Sequence, residues 1–197
     1  MSNRRSWILV LSIIPALALF ALMGWGLARS GGNPGGLSVN SKLGEVPVIN
    51  GPAFSFSAIS LDGTEINPLA LRGKVVMIDF WSSWCPPCRA ESPVLSQVYQ
   101  EYKDKGEPIE FIGIAIWDRD EDIRRFVDEF NLKYPIAVDP KGRIAIGYGV
   151  AGIPEKFFID SSGTLKKKLI GPMNAGALRS ILDEMLGDAE LEQADAS

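Results

Sequence analysis

The sequence contains no histidine, and it has no cysteine apart from Cys85 and Cys88. A Cys-x-x-Cys pair is often half of a zinc site, but closing one takes two further thiolate or imidazole ligands, and this chain has none to offer. No metal or other cofactor is therefore expected. A surplus of basic charge is also missing: the formal net charge is −4, which argues against nucleic acid as a partner. With 197 residues, 46% of them hydrophobic, the chain is long enough for one domain with a sizeable core and too short for two ordinary ones. No internal repeat is visible.

The stretch from Val75 to Pro93 organises the rest. It begins as an apolar run rich in β-branched and aromatic residues, which reads as a buried strand, and becomes helical in composition after Cys88. Both cysteines thus fall where a strand ends and a helix begins. Unpaired backbone N–H groups at a helix start favour an anion, so a thiolate at Cys85 is stabilised, and Cys85 is expected to be the exposed nucleophile. Pro86 and Pro87 suit the first helical turn, where a missing N–H costs little. A purely structural disulfide would close so short a loop that it would stabilise little. Two buried free thiols fit poorly with adjacent prolines marking a surface turn. Redox chemistry is the reading that remains.

The N-terminus differs in kind. Arg4 and Arg5 precede an uncharged apolar run from Trp7 to Leu27, which at about 1.5 Å per helical residue reaches ~30 Å, the thickness of a bilayer's hydrocarbon core. A transmembrane anchor is expected over 7–27, with residues 1–6 in the cytoplasm and the bulk of the chain outside, since two arginines precede the run and one, Arg29, follows it. A signal peptide cleaved near Gly26-Leu27-Ala28 is the alternative; the run is longer than a usual signal core. Either way the domain is exported, where disulfides persist.

Residues 28–45 read as a linker, glycine-rich between Ser30 and Asn40. Phe54–Leu61 and Glu65–Ile66 read as a hairpin around Asp62-Gly63. Beyond the central strand, Val94, Leu95, Val98 and Tyr102 mark a helix with a kink at Pro93, and Ile109–Trp117 a second buried strand. Ile123, Phe126, Val127 and Phe130 mark a helix capped by Asp118 or Asp120. Tyr134–Val138 reads as a strand, Lys156–Asp160 and Lys167–Ile170 as a closing hairpin, and Leu178, Ile181, Leu182 and Met185 as a last helix capped by Asn174. The acidic residues 187–197 read as a disordered tail. Trp81 and Trp117 are expected in the core. This order implies an α/β domain, a central mixed sheet flanked by helices.

From about Val46 to Leu186 the chain resembles the thioredoxin superfamily, and within it the membrane-anchored, extracytoplasmic branch that serves cytochrome c maturation. Trp84-Cys85-Pro86-Pro87-Cys88 is similar to the superfamily's active-site motif, and Gly152-Ile153-Pro154 to the loop bearing its cis-proline. Arg89-Ala90-Glu91 after the second cysteine, Glu155 after that proline, and the hairpin from Phe54 to Ile66 resemble the maturation branch in particular. The resemblance implies a thioredoxin fold over 46–186, with an N-terminal hairpin extension, and a redox-active disulfide between Cys85 and Cys88.

In such a protein Cys85 attacks a partner disulfide and Cys88 resolves the mixed disulfide. Asp79, from the strand, and Glu91, from the helix, are the candidate acceptors for the proton of Cys88, although Glu91 also reads as a solvated first-turn acid. Trp84, Pro86, Ile153, Pro154 and Glu155 are the expected substrate-binding residues. The implied partners are apocytochrome c or a haem-ligation component, together with a membrane electron donor. The implied location is the outer side of the bacterial cytoplasmic membrane. A general extracytoplasmic disulfide reductase stays open as an alternative. A thioredoxin-fold copper chaperone usually wants a histidine beside the cysteines, and a peroxidase a lone cysteine outside the pair; neither exists here.

Overall fold

The computed structural model describes residues 14–25 and 39–195. The chain divides into two units, Met1–Leu37 and Ser38–Ser197. In the first unit residues 14–25 form helix α1, whose large apolar side chains, among them Leu17 and Phe20, are exposed. Among the described residues no helix is long and apolar enough to cross a membrane. The expected anchor over 7–27 lies partly outside the described residues, the cytoplasmic segment 1–6 wholly so, and of the linker only residues 39–45 are described.

The second unit is built on one mixed sheet. Its strands are β1 (Gly44–Val46), β2 (Gly51–Pro52), β5 (Val75–Trp81), β6 (Ile109–Ile116), β7 (Ile136–Asp139), β8 (Glu155–Ile159) and β9 (Thr164–Ile170). The order is β1-β9-β8-β5-β6-β7, with β2 also on β9. β5 lies between β6, which is parallel to it, and β8, which is antiparallel. Every residue of β5 is buried, as a near-continuous run of Val, Met, Ile, Phe and Trp requires of a central strand. A separate two-stranded hairpin, β3 (Ala58–Ile59) with β4 (Glu65–Ile66), is the N-terminal extension. Its first strand is shorter than expected because Phe54 and Phe56 pack edge-on against Tyr148 instead of joining a ladder.

Four helices complete the unit: α2 (Pro86–Asp104), α3 (Asp120–Phe130), α4 (Arg143–Gly147) and α5 (Ala175–Asp195). Successive side chains of a strand point to opposite faces. Asp79 and Trp81 accordingly share one face of β5, where Trp81 stacks on Phe126 of α3 at 4.3 Å between ring centroids. Phe80 takes the other face, against Tyr148 and Phe157. Gly113 of β6 keeps this packing close, since a Cβ there would lie 2.9 Å from the Trp81 indole nitrogen.

Four expectations need correction. Residues 187–195 are not a disordered tail but the last turns of α5; Ala189, Glu190, Leu191 and Gln193 are strong helix formers, which their polarity obscured. The linker does not run to residue 45, because Gly44–Val46 already pairs with β9. Neither Asp118 nor Asp120 caps α3: the cap is Arg119, which makes no side-chain capping bond, and Asp118 is engaged elsewhere. Trp117 is not core, as described below. Asn174 does cap α5, accepting the Ala177 N–H at 2.9 Å.

Candidate active site

Cys85 is the N-cap of α2, in extended conformation, with Pro86 and Pro87 occupying the first helical positions. Its sulfur accepts the Cys88 N–H at 3.3 Å, one of the donors that a helix start leaves unpaired. The two cysteines are joined in a disulfide, so the structure holds the oxidised form. Cys85 was expected to be exposed and is not: it has no accessible surface, because its sulfur is bonded to Cys88 and turned onto the first turn of α2. Cys88 is equally buried.

The Ile153–Pro154 peptide bond is cis, as the resemblance implied, and both residues are buried. Glu155 was expected to meet a partner, but it is 1% exposed and turned inward. Its Oε1 accepts the N–H groups of Ala151 and Gly152 at 3.2 and 3.0 Å, and its Oε2 pairs with Lys168 at 2.9 Å. It shapes the cis-proline loop from behind. Trp84 and Pro86 are exposed beside the disulfide.

Trp117 joins Trp84 at the surface. β6 ends at Ile116, and Trp117 adopts a left-handed conformation with φ 52°, a genuine outlier for so bulky a residue. Its carbonyl accepts the Trp84 indole N–H at 2.9 Å, and its side chain is 44% exposed. The neighbouring Asp118 accepts the Ser83 N–H at 2.5 Å, tying the end of β6 to the loop that carries the motif. Arg89, just after Cys88, pairs with Glu129 at 2.5 Å and lies over the rings of Phe126 and Phe130.

Beneath the disulfide lies a group of charges in the interior. Asp79 on β5 and Glu91 on α2 are each 3% exposed, which rules out a solvated Glu91. Between them stands Lys156 of β8, fully buried. Its ammonium binds the Glu91 carboxylate, lies 3.7 Å from Asp79 Oδ1 and donates to the Gly171 carbonyl at 3.2 Å. Glu91 Oε2 also accepts the Met173 N–H at 2.8 Å. Burial pushes the Glu91 carboxyl up to about 7 against the opposing pull of Lys156, and burial likewise raises Asp79. A carboxyl poised there can take a proton near neutral pH. Lys156 carried no signal in the sequence, where one lysine at a strand end looks like any solvated residue.

The comparisons with known proteins agree with this geometry. Residues 49–168 match the AhpC/TSA family. A Bacillus thuringiensis (strain Al Hakam) protein named thiol-disulfide oxidoreductase ResA is 36% identical over 134 residues, spanning 68% of this chain and 76% of the relative. A thiol:disulfide interchange protein of the thioredoxin family from Chlorobium tepidum TLS superposes with a TM-score of 0.63 at 30% identity, covering 72% of this chain and 99% of that one. A secreted Mycobacterium tuberculosis disulfide oxidoreductase, described as homologous to E. coli DsbE, gives 0.59 at 29% identity over 66% and 95% of the two chains. The Cys85–Cys88 pair is thus the redox centre of a protein thiol-disulfide oxidoreductase. The chain belongs to the AhpC/TSA family of the thioredoxin superfamily.

Proposed function

We propose that this oxidoreductase works as a reductant on the outer face of the bacterial cytoplasmic membrane, keeping the haem-binding cysteines of apocytochrome c, or of a haem-ligation partner, reduced. The observation that carries the reductant reading is the redox pair at the start of α2 with two buried carboxyls beneath it, one poised near neutral pH. In the reduced enzyme the Cys85 thiolate attacks one sulfur of the partner disulfide. A bond forms from Cys85 to that sulfur as the partner's S–S bond breaks, and the departing thiolate takes a proton from solvent. Cys88 then gives its proton to the Asp79–Glu91 pair and attacks Cys85; the bond from Cys85 to the partner breaks, the second partner sulfur leaves as a thiolate that takes a proton from solvent, and the disulfide seen here forms. Two electrons pass to the partner.

With no other cysteine in the chain, an external dithiol must return those electrons, and a membrane protein drawing on cytoplasmic reductant is the donor the reading requires. Support for the cytochrome partner comes from Arg89-Ala90-Glu91 and from Glu155, which resemble the maturation branch, and Glu155 here braces the cis-proline loop. The anchor is supported by the uncharged run from Trp7 to Leu27 and by the exposed apolar side chains of α1. Deleting the gene should lower holo-cytochrome c, and an added small-molecule thiol should restore it. Normal cytochrome c with misoxidised exported proteins would move the function to general disulfide reduction.

A further inference from the structure

The segment leading into β1 lies against the cis-proline loop. β1 pairs antiparallel with β9, Gly44 opposite Ile170. Just before it the chain crosses Gly171, which has φ 85° and no side chain; a Cβ there would collide with the Lys42 carbonyl. The segment then reaches the loop, where Val39 forms a parallel bridge with Ile153. The Asn40 N–H donates to the Ile153 carbonyl at 2.7 Å, and Asn40 Nδ2 donates to the Pro154 carbonyl at 3.3 Å. In this same arrangement Cys85 has no accessible surface.

We propose that Val39–Asn40 is a resident strand on the peptide-docking edge beside the disulfide, and that an extended segment of the disulfide-bearing partner binds by replacing it. The proposal rests on the oxidoreductase reading above and adds what occupies the edge between turnovers. Its argument is one of hydrogen-bond exchange. The Ile153 carbonyl belongs to a buried residue, so it cannot be left bare without cost, and Asn40 now satisfies it. An incoming strand that offers its own N–H at that point keeps the carbonyl paired while the resident strand returns to water. The register specifies the partner: an extended polypeptide, with a residue other than proline where Asn40 stands, since the position must supply an N–H. An incoming strand can take that place on Ile153 only after Val39–Asn40 has moved aside.

The test uses the full chain in detergent, wild type and Asn40→Pro, which removes the donated N–H and the side-chain amide together. Reduction of a disulfide-bonded peptide carrying a Cys-x-x-Cys-His sequence is followed over a range of peptide concentrations. Asn40→Pro should lower KM roughly tenfold, the worth of one or two lost hydrogen bonds. An unchanged or higher KM would overturn the proposal and leave the oxidoreductase reading standing, whereas failure of the wild type to reduce any disulfide would take both down. A second measurement avoids the proline: with the peptide trapped on a Cys88→Ala variant, the Asn40 amide should lose its protection from hydrogen exchange. Retained protection would show that the segment stays in place when a partner binds, and the proposal would fall.

Discussion

Lys156 and Asp79 stand opposite one another across the β5/β8 ladder, with the lysine ammonium 3.7 Å from Asp79 Oδ1 and in contact with Glu91. Asp79 Oδ1 has no hydrogen-bond partner among the described residues, so the ammonium's field is what offsets its burial. Two carboxyls and one ammonium carry no net charge only when the carboxyls share one proton. Burial favours that state, and the carboxylate it leaves unprotonated is the acceptor available to Cys88, with Glu91 one helical turn along α2 from it.

Replacing Lys156 with methionine should therefore be strongly destabilising. It leaves two buried carboxyls without a counter-ion, and breaking a buried pair by removing one partner costs on the order of 3 kcal/mol. The urea midpoint of the oxidised protein should fall accordingly at unchanged slope. A shift worth less than about 0.5 kcal/mol, the range of ordinary surface substitutions, would mean that water reaches the cluster.

Stability should also depend on pH with a definite sign. The Glu91 carboxyl is raised from an ordinary 4.5 to about 7 in the folded protein, so between those values the folded state holds a proton that the unfolded chain has lost. Stability is then greatest below pH 4.5 as far as this group is concerned, and it declines as pH rises to about 7. Asp79, also raised, adds to the same slope; Tyr134, which faces the cluster and whose hydroxyl is pushed up by burial, stays protonated over that window. Denaturation at a series of pH values should show the decline, and Glu91→Gln should flatten it. An equal slope in the variant would assign the effect to other groups.

The sheet was legible in the sequence wherever both faces of a strand are covered, since Val75–Trp81 and Ile109–Ile116 must then be apolar throughout. β1 was not, because Gly44-Glu45-Val46 has no pattern of its own and becomes a strand only by pairing with β9. The cysteines were legible because their motif carries its own chemistry, and the cis-proline through the resemblance of Gly152-Ile153-Pro154 to the thioredoxin loop. Lys156 was missed because its meaning lies in Asp79 and Glu91, brought to it from two other elements. Trp117 was misplaced because it extends the apolar run of β6 without a break, and only the backbone turn after Ile116 brings it to the surface.

That turn makes a prediction of its own. A tryptophan at φ 52° carries strain that glycine would not, so Trp117→Gly should stabilise the fold by about 1 kcal/mol while leaving the Trp117 carbonyl free to accept the Trp84 indole. If the exposed indole contributes to partner docking, the same variant should raise KM for a protein disulfide and leave reduction of a small-molecule disulfide unchanged. Destabilisation would show that packing of the indole outweighs the strain.

The two carboxyls should act on one step of the exchange and not on the other. Glu91 lies one helical turn along α2 from Cys88 and shares Lys156 with Asp79, so Asp79→Asn and Glu91→Gln together should slow release from the mixed disulfide on the order of 10²-fold, the usual worth of a positioned proton acceptor. The first attack by Cys85 should change far less. Rapid mixing of reduced enzyme with a disulfide peptide separates the two steps, and equal slowing of both would point to a general electrostatic effect.

The last prediction concerns which sulfur attacks. Cys85 caps α2 and its sulfur already accepts the Cys88 N–H, so on reduction a thiolate there keeps a hydrogen-bond donor and the positive end of the helix, whereas Cys88 sits inside the first turn above two carboxyls. Burial and the neighbouring Cys85 thiolate both disfavour a second anion at Cys88, so the two thiols should ionise well apart, with Cys85 below the ordinary value of about 8.5 and Cys88 above it. Alkylation of the reduced protein across pH should label Cys85 first, with an apparent pKa below that of a free thiol. Cys88→Ala should accumulate mixed disulfides with a partner, since attack proceeds but release does not, while Cys85→Ala should form none. Preferential labelling of Cys88, or trapping by the Cys85 variant, would reverse the roles of the two cysteines and with them the proton path drawn through Asp79 and Glu91.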